Sequence, residues 1–155
     1  MKSVLFVCLG NICRSPTADG VFKALVEERG LTDQIAVDSA GTAAYHIGNP
    51  PDSRSADAAQ KRGYDLSSLR ARQVIATDFE QFDYILAMDN ENLANLQAMR
   101  PNNATAYLGL FLDFATVSED EVPDPYYGGG QGFEHVLDLV ESASVGLLQH
   151  IEKEL

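Results

Sequence analysis

The stretch VLFVCLGNICRSP, Val4 to Pro16, decides how the chain is read. Val4 to Val7 is a continuous apolar run of strand length, and Leu9 to Cys13 carries the chain round a short glycine-containing loop. Ser15-Pro16 then offers an N-cap followed by proline at the first helical position. Helical spacing takes Ala18, Val21, Phe22, Leu25 and Val26 on to a stop at Gly30. Both cysteines of the chain lie inside this strand, loop and helix unit.

The rest of the chain repeats the alternation. Ile35 to Val37 reads as a second strand, and the polar Gly48-Asn49-Pro50-Pro51-Asp52 stretch precedes a helix over Ser53 to Arg62 that ends at Gly63. Tyr84 to Met88 is a third strand and Glu91 to Met99 a helix that stops before Pro101. Ala106 to Leu112 gives a fourth strand, and Phe133 to Ile151 a long closing helix. Alternating strands and helices predict an α/β fold: one doubly wound domain over residues 1–155, about four parallel strands flanked by helices, with a phosphate-binding loop after strand one. Ligands in such sheets sit beyond the carboxyl ends of the strands, where Cys8 lies.

Composition narrows the function. At 155 residues folding buries roughly 70% of the surface that the unfolded chain exposes, so neither cysteine is needed as a staple. Eleven basic against 23 acidic residues give a net charge of −12, which argues against nonspecific binding of nucleic acid or anionic membranes. No apolar run approaches the ~20 residues of a membrane span. Met1-Lys2-Ser3 leads straight into the first strand with no secretory pattern, so a reducing cytoplasm is the expected location.

Any anion site is therefore local, and the opening loop has the chemistry for one. A tight loop before a helix aims backbone N–H groups inward, and the helix dipole adds about half a positive charge. Gly10 permits close approach, and Asn11 tolerates a left-handed backbone while its amide pins the loop. Arg14, separated from Cys8 by five residues, can grip two phosphate oxygens with its planar fork. The same positive field favours a thiolate at Cys8, and the Ser15 hydroxyl can steady it. A lone cysteine ending a strand is most often a small buried hydrophobe; the arginine and the helix start change that reading. No Gly-Lys-Ser/Thr follows, which removes a Walker loop. Cys-x4-Cys with scattered His46, His135 and His150 is a poor zinc site, and it has too many intervening residues for a thioredoxin motif.

With these residues in view, the chain resembles the low-molecular-weight protein tyrosine phosphatases, whose Val-Cys-x-Gly-Asn-Ile-Cys-Arg-Ser-Pro signature is matched by Val7 to Pro16. Similar segments follow in order: Asp38 to Thr42, Gly48 to Asp52, Ala71-Arg72-Gln73, Phe82 to Asp89 and Val122 to Gly128. The resemblance implies Cys8 as nucleophile, Arg14 as phosphate clamp and Asp124 as general acid and then base. It implies phosphate binding by Leu9, Gly10, Asn11, Ile12, Cys13, Arg14 and Ser15, with Asn11, Ser15 and Ser39 as loop supports. Asp89 reads either as a further support or as a strand-end cap. Cys13 is either a redox partner for Cys8 or a packing residue beneath the loop.

Asp124 also has a reading of its own. Pro125 biases it toward extended geometry, and Gly128-Gly129-Gly130 leaves the loop adjustable, so a carboxyl is presented on a movable arm. A phenol of pKa about 10 leaves phosphorus more readily when an acid protonates it. The bland alternative is a turn aspartate. The resemblance further places Tyr45, His46, Tyr126 and Tyr127 around a crevice to which Leu9 and Ile12 add apolar surface. Loop tyrosines can equally be packing residues. Ile12 resembles the tyrosine-specific type, whereas threonine there marks bacterial protein-arginine phosphatases, the enzymatic alternative; a noncatalytic phosphoryl-binding module is the other.

Two departures stand out. Gly63 to Gln73 lacks the loop-supporting histidine of eukaryotic relatives, and no cysteine after Cys13 supplies an arsenate-reducing relay. The implied partner is a tyrosine-phosphorylated protein, a tyrosine kinase among the candidates, with inorganic phosphate or vanadate as competing ligands. A monomer or weak homodimer is expected, with no cofactor, no metal, no nucleic acid and no membrane.

Overall fold

The computed structural model describes residues 1–126 and 130–155. The first strand, β1 (Lys2–Cys8), leads through the loop into α1 (Arg14–Glu28); β2 (Ile35–Gly41), α2 (Ser53–Lys61) and the short α3 (Asp78–Gln81) follow. Then come β3 (Tyr84–Ala87), α4 (Asn90–Met99), β4 (Tyr107–Leu110), a 3₁₀ turn (Phe111–Phe114) and α5 (Gly130–Glu152). The strands form one sheet in the order β2-β1-β3-β4, and every pairing is parallel.

A parallel sheet covered on both faces needs apolar residues at successive positions, and β1 supplies them. Phe6 and Cys8 turn toward α1 and α5, where Phe6 meets Phe22 edge-on at 5.7 Å and Phe111 at 4.8 Å. Leu5 and Val7 turn the other way, into a core with Ile85, Phe79 and Leu96. β1 thus lies at the switch point, with β2 on one side and β3 on the other, and both neighbouring loops open beside the Cys8 end.

The boundaries differ from the sequence reading in instructive places. β2 runs four residues past Val37, because pairing with β1 continues through Phe6–Ser39 and Cys8–Gly41 although Asp38 and Ser39 interrupt the apolar run. β4 stops at Leu110, and Phe111–Phe114 becomes a 3₁₀ turn that buries Phe111 and Leu112. α1 begins at Arg14 with Cys13 at its N-cap and no side-chain capping bond, so Ser15 is not the cap. Pro16 stands at the third helical position, still within the first turn, where its missing N–H costs nothing. Among the described residues, no helix is long and apolar enough to cross a membrane.

Candidate active site

Cys8 ends β1 with its side chain buried, and a backbone N–H and a hydroxyl converge on its sulfur. The Asn11 N–H lies 3.3 Å from Sγ and the Ser15 hydroxyl 3.0 Å away. Freed from capping, Ser15 faces the nucleophile candidate. Asn11 has φ 58°, the left-handed conformation its type was expected to tolerate. Its side chain ties the loop together: Nδ2 donates to Ser15 Oγ (2.7 Å) and Ser39 Oγ (3.0 Å), and Oδ1 accepts from the Arg72 amide (3.0 Å).

The end of β2 braces the same loop from below. Thr42 N–H donates to the Cys8 carbonyl (2.9 Å) and Ala43 N–H to the Leu9 carbonyl (3.0 Å). Contact is so close that a Cβ on Gly41 would stand 2.8 Å from the Leu9 carbonyl oxygen, which is why no larger residue fits there. On the far side, Asp52 N–H donates to the Ile12 carbonyl at 2.7 Å, joining the start of α2 to the loop. Among the described residues, the N–H groups of Gly10, Ile12, Cys13 and Arg14 find no protein acceptor. Their residues line one crevice with Cys8 at the N-terminus of α1, a concavity suited to an anion.

Arg14 is 3% exposed, and its charge is held by Asp89, whose Oδ2 lies 2.6 Å from Nη1. Nη1 also donates to the Val122 carbonyl at 3.1 Å, and Nη2 lies 3.7 Å from Asp124 Oδ2. Burial works against the guanidinium's charge, but the Cys8 sulfur, Asp89 and Asp124 together outweigh it and raise its pKa. Asp89 also caps α4, its Oδ1 accepting from Asn92 N–H at 2.7 Å, as the strand-end cap reading expects.

Asp124 is exposed, its Oδ1 accepting from Tyr126 N–H (3.0 Å) in the local turn its sequence suggested. Upstream, buried Val122 donates to the Met88 carbonyl at 2.8 Å, so the acid-bearing loop is anchored to the same β3 end as Asp89. The crevice is lined by Cys8, Leu9, Gly10, Ile12, Cys13, Arg14, Tyr45, His46, Asp124 and Tyr126. Of the expected wall residues only Tyr127 is missing; with Gly128 and Gly129 it lies outside the described residues. Gly10 proves to admit the His46 ring, since a Cβ there would stand 2.9 Å from His46 Cδ2.

Cys13 faces the crevice with its thiol free and pushed up to about 12, burial being the main cause and a Ser55 hydrogen bond only partly offsetting it. Its thiol therefore stays protonated at neutral pH. Among the described residues no cluster of three or more His, Cys, Asp or Glu side chains is arranged to hold a metal. Two contributors escaped the sequence reading. Gly41 and Arg72 lay within segments singled out for resemblance, yet both act through backbone groups, which residue chemistry does not advertise.

Hydrogen-bonding groups gathered round a strand-end sulfur, with a buried arginine after five intervening residues, define a Cys-x5-Arg phosphatase site on a doubly wound sheet. The model of the low molecular weight phosphotyrosine protein phosphatase family matches residues 3–155, and the chain belongs to that family. It is 44% identical over 155 residues to the low molecular weight protein-tyrosine-phosphatase YfkJ of Bacillus subtilis, covering 99% of this chain and 98% of that one. A low molecular weight phosphotyrosine protein phosphatase of Schizosaccharomyces pombe is 47% identical over 132 residues, 84% of each chain. A crystal structure of a protein tyrosine phosphatase from Entamoeba histolytica superposes with a TM-score of 0.95 at 43% identity, covering 99% of both chains.

Proposed function

We propose that residues 1–155 act as one phosphatase domain that hydrolyses phosphotyrosine in cytoplasmic proteins through a cysteinyl-phosphate. The observation that carries this reading is the placement of the Cys8 sulfur, the Arg14 guanidinium and the Asp124 carboxyl on one crevice. Cys8 Sγ attacks phosphorus as a thiolate, and the bond from phosphorus to the phenol oxygen breaks while the sulfur–phosphorus bond forms. The protonated Asp124 carboxyl gives its proton to the departing phenolate. Its carboxylate then takes a proton from water as that water attacks phosphorus, and the thiolate leaves unchanged. Arg14 and the loop N–H groups hold the phosphoryl oxygens throughout, so the sequence of steps calls for no cofactor or metal.

Apolar Leu9 and Ile12 beside Tyr45 and Tyr126 suit a phenyl ring better than a guanidinium. Turnover of phosphotyrosine, phosphoarginine and phosphoserine peptides tests the assignment, with phosphate and vanadate as inhibitors. Phosphotyrosine is expected to dominate, and preference for phosphoarginine would replace this reading with the arginine-phosphatase one. Acid quenching during turnover should leave phosphate on Cys8; a full-activity enzyme carrying none would exclude the covalent route.

A further inference from the structure

We propose that Arg72, clamped between Asp38 and Asp78, is the positioning residue that fixes Asn11 and, through it, the phosphate cradle. This inference rests on the phosphatase reading of that loop. Arg72 lies 61 positions along the chain from Asn11, yet its amide is the donor to Asn11 Oδ1. Its side chain points into two carboxylates. Nη1 and Nη2 reach the two oxygens of Asp78 at 3.1 Å each, a paired geometry on an aspartate only 3% exposed. Nε and Nη2 reach Asp38 Oδ2 at 3.2 and 3.1 Å. The backbone is held as firmly, the Arg72 carbonyl accepting from Gly41 N–H at 2.8 Å.

The frame supports Asn11 from two directions. Asp38 pairs with Arg72, and its Oδ1 accepts from the N–H of Ser39, whose hydroxyl receives Asn11 Nδ2. Both remote partners of the asparagine amide thus hang on one ion-pair frame. A left-handed non-glycine residue persists only where its surroundings over-determine it, and Asn11 in that conformation aims its N–H at Cys8 Sγ. Freeing Arg72 lets the asparagine relax, and the donor to the sulfur goes with it.

A double-mutant cycle between Arg72→Met and Asn11→Ala tests the coupling, with kcat on an aryl phosphate and calorimetric affinity for inorganic phosphate as readouts. Arg72→Met is expected to lower kcat about tenfold and phosphate affinity about threefold in the parent, but to change either by less than about twofold when Asn11 is already alanine. Arg72→Lys should recover part of the loss. Equal factors in both backgrounds would overturn the proposal, since a fold-wide role would not depend on Asn11. Arg72→Met leaves Asp78 buried without its cation and can fail to fold; Asp38→Asn, at a half-exposed position, then decides. It should lower kcat about threefold in the parent and leave the Asn11→Ala protein unchanged, and parental kcat would overturn the proposal. A parent that binds phosphate but turns nothing over sinks the phosphatase reading alone, because the affinity cycle still reports the coupling.

Discussion

Arg14 and Asp89 meet through a 2.6 Å contact between Nη1 and Oδ2, while the other oxygen of the same aspartate starts helix α4. One carboxylate thus holds the Arg14 guanidinium and ends the connection from β3. Asp89→Asn separates these duties, because asparagine is as good an N-cap but carries no charge for the guanidinium. We expect the Asn variant to keep the α4 cap but lose thermal stability, because Arg14, 3% exposed, is left without its 2.6 Å counter-charge, and to lose about tenfold in kcat/KM. Asp89→Ala should lose about 1 kcal/mol more, the contribution of the cap. An Asn variant with parental kcat/KM would remove Asp89 from the site.

Cys8 and Arg14 should fail differently. Cys8→Ser retains the loop N–H donors and the arginine, so phosphate binding should survive while turnover vanishes. Arg14→Lys offers a single point charge in place of the fork and should lose phosphate binding as well as turnover. Calorimetry with phosphate on both variants distinguishes the two, and normal phosphate affinity in Arg14→Lys would contradict the clamp.

Asp124→Asn should make the rate depend on the leaving group. Phenyl phosphate needs the proton and should fall by roughly 10²-fold or more, whereas a nitrophenyl ester departs with less help. Slow hydrolysis of the cysteinyl-phosphate should then appear as a burst of nitrophenol. Asp120→Asn, an exposed aspartate outside the proline-flanked turn, serves as control and should change little. A uniform fall across esters with no burst would move the acid assignment elsewhere.

Gly41→Ala tests the brace beneath the loop. Its new methyl would meet the Leu9 carbonyl at 2.8 Å and the Asn11 nitrogen at 3.2 Å, backbone atoms that cannot step aside singly. A loss of about 1–3 kcal/mol in stability and a larger proportional loss of activity are expected. Denaturant unfolding alongside kinetics checks both, and a fully active, fully stable alanine variant would show the contact to be slack.

Mild peroxide should oxidise Cys8 first, because Cys13 is protonated at neutral pH. If the sulfenate is trapped by Cys13, peptide mapping will find a Cys8–Cys13 disulfide, and Cys13→Ala will recover less activity on adding reductant. Full recovery of Cys13→Ala and no such disulfide would leave Cys13 as a packing residue.

The strand, loop and helix of Val4 to Pro16 were legible because continuous apolar spacing, a tight loop and a buried Cys-x5-Arg pattern are all local properties. Asn11, whose φ of 58° suits its type, was legible for the same reason. α3 was not, since four residues are too few to show a helical period. Nor was the start of α1, which begins at Arg14, two residues before the position its serine-proline pair suggests, and so takes the capping role from Ser15. Arg72 was hidden more deeply: its type explains the ion pairs, but the group that reaches Asn11 is an amide every residue but proline possesses.

The burial of Cys13 has a consequence for covalent inhibitors. An electrophile that needs an anionic sulfur will spare Cys13, although that thiol stands five positions from Cys8 on the same crevice. Counting adducts per chain by intact mass therefore grades a reagent without mutagenesis: one adduct marks a reagent that spares Cys13, and a second marks a warhead reactive enough to modify a protonated thiol.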